Sequence, residues 1–355
     1  MRVFQNNGLS RGFRAHRSDP PYQSFAAGRA QFLNTRFSAS HILLPVLSES
    51  PDAFYTNGDD ERLQARWAGE HGLKSDNPEQ ILLAQIEHHR TEVFYNLDPM
   101  RYGSAFVRKL PGCVKKTICW RAAPSGNVDL TGYDLVVCNF PSILEDWRRK
   151  GCNAAHFFPA HDPVMDTYAG SRRDDIDLIF IGGFSRHHIN RSAALRAAAS
   201  VPGIRARFHL EDSRLTRLAN ALPFVPGLDS YRHPAEIRLI RSGPLYGREL
   251  YAALAGARIV FNGAVDMAGE DRGNMRCFEA TGCGALLLTD SGNYPEGFVD
   301  GETIVTYSSV GQIPQLIERL VADVSRANSI AQAGCAMVRD RYSKERQWAK
   351  FRELA

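Results

Sequence analysis

The chain has 355 residues, of which 44% are apolar and 23% charged, with a net charge of +4. This length exceeds one ordinary hydrophobic core and suits two α/β domains. The scattered basic residues fit phosphate-bearing small ligands or weak peripheral contact with an anionic membrane, and fall short of the basic stripe that duplex nucleic acid requires.

No run of about 18 apolar residues is present to span a membrane. The start, MRVFQNNGLSRGF, lacks the apolar stretch of a signal peptide. Seven cysteines without a C-x-x-C pair argue against a disulfide framework or a zinc site and for a reducing compartment. The expectation is a cytoplasmic protein.

In chain order, Arg2–Asn6 reads as a strand, and Asn6-Asn7-Gly8-Leu9 as a turn at its carboxyl end, where open α/β sheets bind ligands. A helix is expected near 24–38, a second strand over His41–Leu47, and a polar loop over 48–60. Helical patches fill 61–91 with a break at Ser75–Pro78, and His88-His89 fall on a solvated end. Further strands are expected at Val93–Leu97, Val114–Trp120, Leu135–Asn139 and Ala154–Phe158. Strands alternating with helices imply a parallel, Rossmann-like domain over 1–165. Asp98 and Arg101 follow a strand's carboxyl end. Asp98 reads either as a general base or acceptor clamp, or simply as the first residue of an Asp-Pro turn. His161 reads as a hinge or packing residue.

Residues 166–174, DTYAGSRRD, have the composition of a linker. Asp175-Ile-Asp177 precedes the strand Leu178–Ile181, at the amino end of the sheet, so it reads as strand-start solvation. The strand runs into Gly182-Gly183-Phe184-Ser185-Arg186, a junction that lets backbone approach a phosphate, with a hydroxyl and a guanidinium to add. It lacks the full G-x-G-x-x-G fingerprint. After a strand at Ile204–Leu210, a turn through Tyr246 leads into an amphipathic helix and the strand Arg258–Gly263.

Asp271-Arg272-Gly273 reads as a loop, with Asn274 capping a helix through Met275 and Glu279 that stops at Gly282 and Gly284. A buried strand, Ala285–Asp290, follows. At ~1.5 Å per residue, Glu279 lies roughly 7–8 Å along the axis from the cap. Asp271 and Glu279 are therefore spaced to hold two ends of an elongated ligand such as a nucleotide sugar. The other reading of Glu279 is a buried, salt-bridged helix residue. A strand at Thr303–Tyr307 and helices at 310–324 and 326–340 complete a second domain, 166–340. Residues 341–355 read as a terminal helix packing back across the domains.

Several stretches resemble one family: GGFSRHH, PLYG, IVFNG, NMRCFEATGCGALLLTD and DGETIVTYSS, with ILLAQIEHHRTEVFYNLDP, TGYDLVVCNFPS and HFFPAHDP upstream. They resemble GT-B glycosyltransferases, in particular the CgeB-like group within the group-1 glycosyltransferases, over most of residues 75–345. The resemblance implies an α/β GT-B fold, two Rossmann-like domains facing across a cleft, with a nucleotide sugar bound mainly by the second. It implies Glu279 for the ribose, the loop from Asp271 through Gly273 to Asn274 for donor sugar and phosphates, and Arg186 near the diphosphate. Gly183, Ser185, Tyr246, Met275 and Arg276 complete the expected donor site.

Asn7, Gly8 and Arg101 are expected on the acceptor side, and Asp98 and Asp271 as the catalytic carboxylates. Asp271 stands where related retaining enzymes carry Glu, so retention and inversion both stay open. The implied reaction is hexosyl or related transfer to a saccharide (as in polysaccharide biosynthesis), a lipid-linked glycan or a protein, with no metal or cofactor. Arg186, Arg276 and helix amides would meet the charge of the leaving diphosphate. The alternatives are a nucleotide-sugar epimerase of the same fold and an inactive, glycosyltransferase-like scaffold.

Overall fold

Among the described residues, short apolar strands assemble into two wholly parallel sheets. The structure, a computed structural model, describes residues 1–17, 21–171, 173–184, 189–222, 224–225, 227–263 and 266–355. The chain divides into two compact units, Met1–Ala160 with Lys344–Ala355, and His161–Ser343.

The first unit holds β1 (Val3–Asn6), β2 (Ala53–Thr56), β3 (Val93–Asn96), β4 (Lys116–Trp120), β5 (Leu135–Cys138) and β6 (Ala154–His156), in the order β2-β1-β3-β4-β5-β6. The second holds β7 (Ile176–Gly183), β8 (Ala206–Glu211), β9 (Arg241–Ser242), β10 (Ala257–Phe261), β11 (Leu286–Asp290) and β12 (Val305–Tyr307), in the order β12-β11-β10-β7-β8-β9. Parallel strands covered on both faces carry continuous apolar runs, and Leu286, Leu287 and Leu288 of β11 are fully buried. Counted from β9, the second sheet has the doubly wound order 3-2-1-4-5-6, which reverses between β7 and β10. In the first sheet the reversal lies between β1 and β3. In such sheets the crevice outside the carboxyl ends at the reversal is the ligand position, which directs attention to Asn6–Gly8, Asn96–Asp98, Gly182–Gly183 and Asn262–Gly263.

Three expectations need correction. Residues 41–47 are not a strand. They form a short 3-10 turn, Ala39–His41, and a helix, Leu44–Leu47, with Pro45 in its first turn, where a missing N–H costs nothing. The place beside β1 goes to Ala53–Thr56, inside the expected polar loop, which pairs with β1 in register from Val3↔Ala53 to Asn6↔Thr56. Phe54 stacks on Phe4 at 4.8 Å, and that cross-strand contact makes four residues enough.

The expected linker instead contributes a helix, Val164–Ala169, to the second unit. It packs so closely on the helix Met275–Gly282 that a Cβ on Gly282 would lie 2.6 Å from the Met165 sulfur. His89 is not on a solvated face. It is buried, its Nδ1 lies 3.0 Å from Thr91 Oγ1, and burial lowers its pKa to about 4.

The terminal helix Lys344–Leu354 belongs to the first unit. Lys344 Nζ donates to the carbonyls of Ala39 and Ile42 at 2.5 and 2.6 Å, and Phe351 packs on Tyr95. No described helix is long and apolar enough to cross a membrane.

Candidate functional site

In the second unit, β7 ends in Gly182-Gly183 at the reversal of strand order. Gly182 sits against its neighbour Phe180, with 3.0 Å from a built Cβ to the ring, whereas among the described residues nothing lies within 4 Å of a Cβ built on Gly183. Ser185 and Arg186 lie outside the described residues. In the helix that follows, Ile189–Ala199, Arg191 Nη2 donates to Gly263 O at 2.7 Å, tying this helix to the loop after β10.

Asn274 does start the helix Met275–Gly282, with extended backbone, but its side chain makes no capping hydrogen bond. Its Nδ2 donates instead to Asn262 Oδ1 at 3.3 Å, and Asn262 Nδ2 lies 3.3 Å from Thr289 Oγ1. The amide pair thus ties the amino end of this helix to the carboxyl ends of β10 and β11. Met275 opens a first turn that the Asn274 side chain does not cap, and the positive end of the helix lies at the sheet's ligand side.

The preceding loop is held on the same side. Asp271 is buried and bridges to Asn293 in parallel fashion, Arg272 N donates to Asn293 O at 2.9 Å, and Asn293 N donates to Glu270 O at 2.8 Å. Arg272 forms an ion pair with Asp290 at the end of β11, 2.6 Å apart. Gly273 takes φ +100°, a backbone that favours glycine, and so turns the loop into the helix.

Glu279 is 3% exposed, and its Oε2 accepts from Arg276 Nη1 at 2.6 Å. The two residues expected to touch ribose and diphosphate are therefore joined to each other one helical turn apart. Burial raises the pKa of Glu279, Arg276 pulls it back, and the buried Asp162 raises it further. Tyr246 precedes the helix Gly247–Ala255, and its hydroxyl is pushed up to about 12 by burial and then by Glu211 at the end of β8. His161 is buried, and its Nε2 lies 3.0 Å from Asp166 Oδ1.

In the first unit the reversal between β1 and β3 carries a buried polar network. Asn6 Nδ2 donates to Asn96 Oδ1 at 2.9 Å, and Asn96 Oδ1 also accepts from Asp98 N at 2.9 Å. Gly8 lies directly against Asp98, where a built Cβ would be 2.8 Å from the carboxyl carbon. Arg101 Nε lies 3.4 Å from Asp98 Oδ2, and the Asp98 carbonyl accepts from Arg101 N and Tyr102 N, so the Asp-Pro turn is real as well. Burial and the nearby Asp59 carboxylate raise the pKa of Asp98, against the pull of Arg101 and Arg14. Asn7 points inward. Its Oδ1 accepts from Gln5 and its carbonyl accepts from Asn57.

Sequence reasoning missed Asp59, which accepts from Leu9 N at 2.9 Å and pairs with Arg14. Its signal was the run Asn57-Gly58-Asp59-Asp60, which gained meaning only once 53–56 proved to be a strand. It also missed Asn262, Arg191 and Asp162. Asn262 alone had a visible marker, its place at a strand end before a glycine.

Two parallel doubly wound units, with polar loops gathered at the carboxyl ends of their strands, define the GT-B fold of glycosyltransferases. Residues 188–353 match the family described as glycosyl transferase-like. Among solved structures, the chain is similar to Anabaena Alr3699/HepE in complex with UDP and glucose, 12% identical over 99% of this chain and 98% of that one, with a TM-score of 0.60. It is also similar to AviGT4, a glycosyltransferase involved in avilamycin A biosynthesis, 12% identical over 99% and 96% of the two chains with a TM-score of 0.55. Sucrose-phosphate synthase from Thermosynechococcus elongatus is 14% identical over 86% and 83%, with a TM-score of 0.51. At these identities the likeness is one of fold. No curated protein sequence matches.

Proposed function

We propose that the protein transfers a sugar, a hexose in the first instance, from a nucleoside-diphosphate sugar to an acceptor hydroxyl. The observation that carries this reading is the assembly at the β7/β10 reversal. The amino end of the helix Met275–Gly282, which the Asn274 side chain does not cap, and the Asn262–Asn274 amide pair stand at the carboxyl end of the sheet, and Arg276 of the same first turn pairs with Glu279. Glu279 accepts the ribose hydroxyls, Asp271 and the backbone from Gly273 to Met275 hold donor sugar and phosphates, and Tyr246 and Gly183 border the donor. Arg276, Arg186 and the helix amides stabilise the leaving diphosphate, so the reading requires no metal or cofactor.

The first unit supplies acceptor recognition through Gly8 and Arg101, with Asn7 bracing the loop from inside. The acceptor is a saccharide, a lipid-linked glycan or a protein. Asp98 is the base if transfer inverts the anomeric centre. Its raised pKa places it closer to neutrality than an ordinary aspartate, as a base operating there requires. The CgeB-like grouping rests on the motifs alone.

HepE holds UDP-glucose, which makes a UDP-hexose the first donor to try. A donor-panel thermal shift, followed by nucleotide release with and without acceptor, tests the proposal. Acceptor-dependent release supports it. Acceptor-independent conversion of the sugar indicates an epimerase, and binding without turnover a scaffold. No donor binding at all overturns the site.

A further inference from the structure

Large apolar side chains exposed on the described surface are mostly solitary, with one exception. Leu215, Leu218, Leu222, Phe224 and Val225 are 46%, 46%, 43%, 92% and 39% exposed within eleven consecutive positions. Three of them belong to the helix Arg214–Ala221 and its C-terminal cap, which is turned the unusual way round. It buries Thr216 and Ala219 and presents its leucines to solvent. At ~100° per residue, Leu215, Leu218 and Leu222 fall within about 60° of one another, and Arg214 and Arg217 lie on the side of that stripe away from the core.

The segment is held in place rather than loosely attached. Arg232 donates to the carbonyls of Ala219, Leu222 and Val225 at 3.1, 3.0 and 3.0 Å and pairs with Asp229. One guanidinium therefore caps the helix and holds the carbonyls of Leu222 and Val225, on either side of the exposed Phe224. The charges are arranged to match. Asp212, beside the helix, is taken by His233 at 2.7 Å and Arg241 at 3.4 Å, and Asp229 by Arg232, whereas among the described residues neither Arg214 nor Arg217 has a carboxylate partner.

We infer that this face, made by Leu215, Leu218, Leu222, Phe224 and Val225 with Arg214 and Arg217, docks the protein on an anionic lipid bilayer. A projecting phenylalanine and a leucine stripe fit a partner that asks for apolar depth without shape complementarity, and the flanking arginines fit its negative headgroups. The inference does not rest on the proposed transfer reaction.

Co-sedimentation of the full chain with phosphatidylcholine vesicles, with and without about one third phosphatidylglycerol, tests it. Binding is expected only to the anionic vesicles, and it weakens as salt is raised. The double variant Leu218→Ser/Phe224→Ser loses at least about tenfold in partitioning. Arg214→Gln and Arg217→Gln lose about fivefold each. All these side chains are solvent-facing, so melting temperature and donor-induced thermal shift stay at wild-type values and report that each variant is folded. The inference is overturned if the wild type ignores anionic vesicles, or if the apolar variant binds them equally well. It is also overturned if the same substitutions instead dissolve a concentration-dependent dimer, which would make the face a contact between copies of this chain.

Discussion

Glu279→Gln separates the role proposed for this side chain, acceptor of the donor's ribose hydroxyls, from the one the structure shows, partner of Arg276. Glutamine keeps the shape and an oxygen for the Arg276 guanidinium, now 2.6 Å from Glu279 Oε2, and removes only the charge. A hydrogen bond to a charged group contributes about 1.5–3 kcal/mol, so donor affinity should fall roughly 10- to 150-fold.

Stability should respond differently. Burial raises the pKa of Glu279 above that of the unfolded chain, so the folded state binds the proton more tightly and the ionised carboxylate is the disfavoured form. Its contribution is therefore largest at low pH and is lost as pH rises from the ordinary carboxylate value through the raised one. The glutamine variant removes that pH-dependent loss along with half of an ion pair. These terms oppose each other, so unfolding free energy at neutral pH should change by only about 1 kcal/mol. Glu279→Ala differs because it strands a mostly buried guanidinium, and it should cost about 3 kcal/mol. Calorimetric titration with UDP-hexoses and urea unfolding of both variants supply the numbers. If folded Glu279→Gln binds the donor within about threefold of wild type, Glu279 is a structural partner of Arg276 and the ribose assignment fails.

Other perturbations probe the first unit and the packing beneath the site. Asp98→Asn should abolish turnover if Asp98 is the base, and near-normal rates would remove it from that role. In the same case, Asp59→Asn should move the acid limb of the pH–rate profile downward, because loss of a neighbouring negative charge lowers a carboxyl pKa. Gly8→Ala places a methyl 2.8 Å from the Asp98 carboxyl carbon, well inside normal contact, and must push that side chain aside. A displacement approaching 1 Å should cost up to about 100-fold in turnover, with little change in melting temperature. Gly282→Ala sets a methyl 2.6 Å from the Met165 sulfur and 2.9 Å from His161 Nδ1, and urea denaturation should show a loss of about 1–3 kcal/mol.

Most strands were legible because parallel strands buried on both faces write themselves as apolar runs bounded by glycine, asparagine or proline. Leu135–Cys138 and Leu286–Asp290 are such cases. His41–Leu47 has the same look, and a short run cannot declare its own period. What excludes it from the sheet is Pro45, together with the stacking of Phe54 on Phe4, a contact between residues 50 positions apart. The helix Val164–Ala169 was hidden in the same way. Its last four residues, Asp166–Ala169, open the polar stretch 166–174 that resembles a linker, and the meeting of Met165 with Gly282 in space gives it a reason to be ordered.

At the site, the loop, helix and strand of 270–290 were readable as a unit, because glycine, asparagine and the leucine run each mark a boundary. The partners were not. Asn274 looks like a self-contained cap, yet its amide serves Asn262, twelve residues earlier, and Glu279 looks available while Arg276 already holds it. The Asn262–Asn274 pairing depends on how β10 is placed against the helix that follows it, which local spacing does not encode, whereas Arg276–Glu279 is an i,i+3 pair that the alternative reading of Glu279 allowed.

The return of Lys344–Leu354 to the first unit bears on how the chain is made. A ribosome delivers residues 1–160 long before it delivers the helix whose Lys344 satisfies the carbonyls of Ala39 and Ile42 and whose Phe351 packs on Tyr95. During synthesis the first unit therefore waits, with these groups uncovered, while all of 161–343 emerges and can fold as its own body. Completion of the first unit is thus coupled to a segment translated after the whole of the second. A nascent chain stalled before residue 344 should hold a protease-resistant second unit beside a first unit that proteases still cut.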